Sequence, residues 1–277
     1  MNTVINSFDN FINRLVHKSA IKRLLQQRVV LAIILLILQM QFFTINLLNT
    51  KLRSASAGWE LKIPIIDNNL TPLGYWLIPY VAGFFLAPLV PLWAALVMPN
   101  SPYRQYFFGM VISVIAGYAI YILLPTYVTK PSPDAVPGSD IFARMLRNSY
   151  EVDAEISSHN AAPSQHVYYA VLNMCFILNF RPNKRTFWIW TTLAATISAS
   201  ALLTMRHNSP DIITGYLTAV VSYYAGMWLG ARVTHELRDA EDPIVLPRWI
   251  PAWLPLTLAK HTHPVPRRTR DLDMGIS

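Results

Sequence analysis

Residues 29–48 read VVLAIILLILQMQFFTINLL, a run from Val29 to Leu48 without one charge. A bilayer's hydrocarbon core, ~30 Å thick, takes about 20 apolar residues in helical form. The run lacks period-2 alternation and a narrow apolar stripe, so neither a half-buried strand nor a surface helix accounts for it. Outward from it lie five further apolar blocks: Tyr75–Met98, Phe107–Leu124, Pro163–Phe180, Phe187–Met205 and Ile212–Val233. The expected fold is all-α, a polytopic membrane protein with a six-transmembrane-helix bundle and an outer loop that carries chemistry. Pro79, Pro88 and Pro91 predict a kink in the second span.

Composition agrees with this reading. The 277-residue chain is 53% hydrophobic and 14% charged, against about 25% charged in soluble domains. Its net charge of +8 raises the question of nucleic acid. The basic residues flank the spans and form no stripe with interleaved aromatics, so nucleic acid is not the expected partner. They read as topology signals. Arg14, Lys18, Lys22, Arg23 and Arg28 precede the first span, Arg104 follows the second, and Arg181, Lys184 and Arg185 follow the fourth. The tail adds Arg232, Arg238, Arg248, Lys260, Arg267, Arg268 and Arg270. The positive-inside rule places that side and both termini in the cytoplasm. The other three loops then face the periplasm, the cell exterior or an organelle lumen.

Three regions follow. Residues 1–28 form a cytoplasmic segment with Phe8, Phe11, Ile12 and Leu15 on one helical face, as in a surface-lying amphipathic helix. Residues 29–233 form the membrane domain, and residues 234–277 a basic cytoplasmic tail. Trp249, Trp253 and Leu254 in that tail suit headgroup contact. Beyond Lys260 it is too poor in apolar residues to order itself. The one cysteine, Cys175, excludes an internal disulfide and reads as a packed thiol. The first 28 residues hold no cleavable signal peptide pattern.

Polar residues gather at the outer ends of three spans. Lys130 follows the third. Ser164 and His166 open the fourth within Pro163-Ser164-Gln165-His166. Arg206, His207 and Asp211 join the fifth to the sixth within Arg206-His207-Asn208-Ser209-Pro210-Asp211. Pro163 and Pro210 suit the first turn of a helix. Two helix N-termini would then offer free N–H groups to an anion, beside Lys130 and Arg206. The residue types suit phosphoryl transfer without a cofactor or metal. Asp211 would fix the tautomer of His207, whose other nitrogen attacks phosphorus. His166 would protonate the leaving oxygen and then activate water or an acceptor hydroxyl. Ser164, Lys130 and Arg206 would hold the phosphate oxygens. In the long outer loop, Ile141 to Asp153 predicts a short surface helix capped near Ser139 or Asp140. Pro131, Pro133 and Pro137 predict an extended lead into it. Arg144 and Arg147 are open to substrate phosphate or headgroups. His159 reads as a surface histidine, Asn160 as a turn cap, and Tyr168 and Tyr169 as packing residues.

These blocks resemble the type 2 phosphatidic acid phosphatase superfamily. Lys130-Pro131 corresponds to its basic-Pro block, Pro163 to His166 to its Pro-Ser-x-His block, and His207 to Asp211 to its His-x-x-x-Asp block. The resemblance runs from about Thr126 to Gly215. It implies a metal-independent phosphohistidine mechanism on a phosphorylated lipid in the bilayer, with His207 as nucleophile, Asp211 as its partner and His166 as acid. The chain departs from the pattern at three points. Leu123 stands where the family has a lysine, Ser200-Ala201 where it has Ser-Arg, and Gln165 where it commonly has glycine. Arg206 either takes over from the missing arginine or points away. Pro125 to Pro131 resembles the branch that includes inositol phosphorylceramide synthases, which implies headgroup transfer instead of hydrolysis. Two other classes stay open. One is a metal site built from His166, His207 and Asp211. The other is a non-catalytic lipid-binding or transport relative.

Overall fold

In the computed structural model the described residues are 11–12, 19–52, 58–156 and 159–237. The tail with Trp249, Trp253 and Leu254, and most of the amphipathic N-terminal face, lie outside them. A short helix α1 (Ser19–Gln26) leads into α2 (Arg28–Leu52). The strand pair β1 (Trp59–Glu60) and β2 (Thr126–Tyr127), the four-residue α3 (Pro64–Asp67) and α6 (Ile141–Ile156) occupy the loops. The remaining long helices are α4 (Leu77–Val97), α5 (Asn100–Leu123), α7 (Gln165–Phe180), α8 (Lys184–Leu203) and α9 (Ser209–Leu237).

Each expected block became a helix. Five of them, with α4 counted from Gly74, are long and apolar enough to cross a membrane. The exception is α7, whose 16 residues extend about 24 Å at 1.5 Å per residue. It starts after Pro163 because the preceding strap is held elsewhere. Thr126 bridges Asn160, and the Ala162 N–H donates to Thr126 Oγ1 at 2.6 Å. Of the six expected spans, five thus reach the length and hydropathy of a crossing helix, and α7 is the short one. The helix α4 continues through Pro88 and Pro91.

The outward faces are apolar. Ile33, Ile37 and Phe43 on α2, Phe85 and Leu96 on α4, and Leu217 and Val221 on α9 are exposed, as surfaces covered by lipid are. The interior is rich in tyrosine, and three of its hydroxyls tie helices together. Tyr106 donates to Asn173 Oδ1 at 2.8 Å, Tyr118 to the Leu38 carbonyl at 2.8 Å and Tyr121 to the Pro163 carbonyl at 2.6 Å. Lipid offers no replacement for such bonds.

The bundle closes where α9 crosses α5. Gly226 and Gly230 are spaced as G-x-x-x-G and let the backbones touch. A Cβ on Gly226 would lie 2.4 Å from Gly109 Cα and N. Backbone cannot move aside as a side chain can. Gly226→Val is therefore expected to cost more than about 3 kcal/mol. Size-exclusion chromatography in detergent should show loss of the monodisperse peak, and a variant with unchanged melting temperature would contradict the crossing.

Two cations assigned to loops have structural posts. α5 starts at Asn100, ahead of the expected Phe107, so Arg104 lies within a helix and is fully buried. Its Nε donates to the Leu25 carbonyl at 3.0 Å and its Nη1 to Thr234 Oγ1 at 3.4 Å. Arg28 donates to the Met98 carbonyl. Both clamp helix ends, which makes them weaker topology signals than their charge suggested.

The outer loop is folded. Asp140 Oδ1 caps α6 by accepting from the Phe142 and Ala143 N–H groups at 2.8 and 3.0 Å. Those bonds, led by Ala143, hold the exposed Asp140 carboxyl below its ordinary pKa. Pro133–Ala135 forms a single 3₁₀ turn within the expected extended lead. Gly74 lies under the start of α6, where a Cβ would meet Ala143 N at 2.6 Å. Tyr150 donates to the Thr204 carbonyl at 2.6 Å. Thus α6 braces the turn that carries Arg206 and His207.

Candidate active site

A cleft opens among the helix ends. α2 contributes Phe42 and Asn46, α4 Tyr80 and Phe84, and α7 Gln165 and His166. The segment after β2 contributes Lys130, and the α8–α9 turn Arg206 and His207. An amide ladder secures the wall. Asn49 Nδ2 donates to Asn160 Oδ1 at 2.7 Å, and Asn160 Nδ2 to Asn46 Oδ1 at 3.1 Å. Asn160 therefore ties its strap to α2, where a turn cap was expected.

The α8–α9 turn is sharp. Met205 has φ 49°, a left-handed conformation that costs a non-glycine residue about 1 kcal/mol or more. It caps α8, and the Arg206 and His207 N–H groups both return to the Ala201 carbonyl, at 3.2 and 3.1 Å. The bend delivers Arg206 and His207 into the cleft.

His207 is 8% exposed, and its Nδ1 lies 3.4 Å from Asp211 Oδ2. That is an ion-pair approach slightly beyond normal hydrogen-bond length. The same Asp211 oxygen accepts from the Asn208 N–H at 2.9 Å. His166 lies across from His207, with ring centroids 6.2 Å apart. It stacks on Tyr80 at 4.1 Å and meets Phe84 edge-on at 4.3 Å. Gly83 leaves it space, since a Cβ there would approach His166 Cδ2 to 3.0 Å. Two more ties bring the histidine blocks together. The Ser164 N–H donates to the Asp211 carbonyl at 3.0 Å. Gly215 lets α9 press on α7, where a Cβ would lie 2.9 Å from Val167 Cβ.

Both cations line the cleft. Lys130 Nζ donates to the Arg206 carbonyl at 2.8 Å. The Arg206 guanidinium sits 5.0 Å from the centre of the Tyr80 ring. Of the two orientations open for Arg206, the structure has the one facing the histidines. Ser164 is placed differently: it is fully buried, does not line the cleft, and its Oγ has no hydrogen-bond partner among the described residues.

Several expectations need correction. Of the two helix N-termini expected to face an anion, that of α7 alone has no side-chain cap among the described residues. At α9 the Ser209 N–H donates to Asp67 Oδ1 at 2.8 Å, and Asp211 accepts from Asn208. Carboxylates have taken the place reserved for an anion. Pro210 lies in the first turn as expected, but Pro163 stays outside its helix. Arg147 donates to the carbonyls of Pro133, Val136 and Gly138, so loop packing engages it. His159 is buried beside Tyr127, not on the surface. Among the described residues, no group of three His, Cys, Asp or Glu is placed to hold a metal ion.

Asp67 escaped the sequence reading. It is 5% exposed and accepts from the Ser209 N–H and Oγ, at 2.8 and 2.7 Å, and from the Ile63 N–H at 2.7 Å. Its partner lies 142 residues away, and an acid in a loop carries no sign of that. Asp67→Ala removes a helix cap and is expected to cost about 1–2 kcal/mol. The melting temperature in detergent should drop more for Asp67→Ala than for Ser209→Ala, which keeps the N–H bond. Equal drops would show that the hydroxyl bond dominates. Tyr80 and Phe84 were equally hidden, as aromatics within an apolar span.

Residues 71–225 match the family model of the PAP2 superfamily. The chain is also 22% identical over 179 residues to the bacitracin transport permease protein BcrC of Bacillus licheniformis, covering 63% of this chain and 80% of that protein. No solved structure matches it. The family match spans more than half of the chain and includes Lys130, both histidine blocks and the helices that bring them together. The protein belongs to the PAP2 superfamily of phosphatases.

Proposed function

We infer that this membrane protein removes or transfers the phosphate of a phosphorylated lipid through a phosphohistidine on His207. One observation carries this reading: two imidazoles face each other in one cleft, one backed by a buried carboxylate, with Lys130 and Arg206 beside them. His207 Nδ1 faces Asp211, so Nε2 is the attacking atom. It bonds to phosphorus as the bond to the lipid oxygen breaks, and His166 gives that oxygen its proton. His166 then takes a proton from water or an acceptor hydroxyl. The new oxygen attacks phosphorus and releases His207 together with free phosphate or a new phospholipid. Lys130, Arg206 and the uncapped start of α7 stabilise the equatorial oxygens. Ser164 joins them if its hydroxyl turns outward when phosphate binds. The residues supply a nucleophile, an acid and cations, so the scheme runs without a metal.

Incubating the purified protein with lipid phosphates and pyrophosphates tests this, with and without an acceptor lipid. Free phosphate in both conditions identifies a hydrolase. A new phospholipid formed only with acceptor identifies the headgroup transferase that Pro125 to Pro131 resembles. A folded protein that yields neither would sink the enzymatic reading. The name of BcrC raises transport, but here the charged groups of the cleft sit at helix ends, as chemistry at one surface requires.

The distribution of basic residues puts both termini in the cytoplasm and the cleft on the opposite face. Ser132 is exposed near the cleft's loop. A Ser132→Cys variant should react with a membrane-impermeant maleimide in intact cells, whereas labelling only after permeabilisation would reverse the orientation.

A further inference from the structure

A second, apolar cleft continues from the first. The two share Phe42, Phe84, Gln165 and His166, and the second runs between α2 and α4 past Phe43, Gly83 and Ala87. If the phosphate sits between the histidines, this continuation holds the rest of the lipid, an assignment that rests on the function inferred above. Apart from Gln39, its wall is hydrocarbon and aromatic except near the junction. There Gln165 Nε2 donates to the Tyr169 hydroxyl at 2.9 Å, and both residues line the cleft.

Gln39 is the anomaly in this wall. It is 3% exposed, yet its Oε1 and Nε2 have no hydrogen-bond partner among the described residues. An unpaired buried amide costs about 1–3 kcal/mol. A plain hydrocarbon chain beside it would leave that cost in place. Gln39, Phe42 and Asn46 fall on one face of α2, at helical spacings of three and seven. Asn46 lines the phosphate cleft, and Gln39 lies two turns further along, about 10 Å by helical rise. A lipid anchored by its phosphate passes Phe42 and Phe84 and then meets Gln39. Its first groups below the phosphate come nearest the amide, well before the chain ends.

We propose that Gln39 reads the polar linkage of the substrate, the ester or amide group that joins a phosphate-bearing backbone to its acyl chains. A carboxamide both donates and accepts, so it pairs with an ester carbonyl, an amide or a hydroxyl. A polyprenyl phosphate offers none of these. The substrate class is therefore an acylated glycerol or sphingoid phosphate.

The test compares four monophosphates on the full-length protein in detergent: phosphatidic acid, ceramide 1-phosphate, a polyprenyl phosphate and hexadecyl phosphate. The first two separate ester from amide. The last two lack a linkage. kcat/KM is measured for wild type, Gln39→Leu and Gln39→Met. Melting temperature is measured with and without the matching non-hydrolysable phosphonates. Wild type should favour one linkage-bearing lipid over hexadecyl phosphate by at least about tenfold, and both variants should collapse that ratio. Both variants should also fold, because an apolar side chain leaves no unpaired amide. Equal turnover of all four lipids by wild type would overturn the proposal, as would a preference that survives in both variants. If no lipid is turned over, the inferred activity falls. The linkage reading is then decided separately, by whether wild type alone is stabilised more by the acylated phosphonates.

Discussion

His207→Ala should release phosphate from lipid substrates about 10⁴-fold or more slowly than wild type. Removing a nucleophile eliminates the covalent route altogether, and what remains is binding and charge stabilisation. The fold should survive, because His207 sits at the cleft surface while the Asp67 and Asp211 caps of α9 do not depend on it. A second readout separates loss of chemistry from loss of shape. Brief incubation with a lipid phosphate labelled at phosphorus should transfer label to wild type and not to His207→Ala. That label should be lost in acid and kept in base, as phosphoramidate chemistry requires. A truncated His207→Gly enzyme should regain part of its turnover with added imidazole. Turnover by His207→Ala within about tenfold of wild type would remove it as the nucleophile.

For His166→Ala the expected loss on an alkyl phosphate is about 10²–10⁴-fold, the usual range for a general acid or base. The pattern across leaving groups matters more than the size. A nitrophenolate leaves without a proton, so nitrophenyl phosphate should still phosphorylate His207. No group is then left to activate water, and the reaction should stop after about one equivalent of nitrophenolate per protein. His166 also stacks on Tyr80 and against Phe84, so alanine leaves a gap. His166→Phe keeps an aromatic ring there without proton transfer. It should be as inactive as alanine if acid–base chemistry is the reason, and largely active if stacking is.

The helices were legible because each is encoded by a continuous apolar run, and lipid forces any such run to satisfy its own backbone. Their ends were less so. Asn100 to Tyr106 is polar enough to read as a loop, yet Arg104 is buried there against Leu25 and Thr234. Hydropathy cannot show that a charge has partners on two other helices. The shortness of α7 was hidden for a similar reason. Residues 159–163 are committed to a strap whose partners, Thr126 and Asn46, come from other parts of the chain.

The site divides along the same line. His207 and Asp211 are four residues apart, so their approach is local. Lys130, His166 and Arg206 were readable because few polar residues adjoin the spans, and those that do stand out. Asp67, Tyr80, Gly83 and Gln39 had no such contrast.

Read alone, the chain already contained its all-helical membrane architecture, the two histidine blocks and the acid that backs one of them, since these follow from residue type at short range. Tertiary structure decided how the blocks meet, which cations are spent on clamps, that a distant carboxylate occupies the start of α9, and that an amide lies unpaired below the histidine cleft. Those outcomes depend on through-space neighbours separated by tens to more than a hundred residues, and no local pattern encodes them.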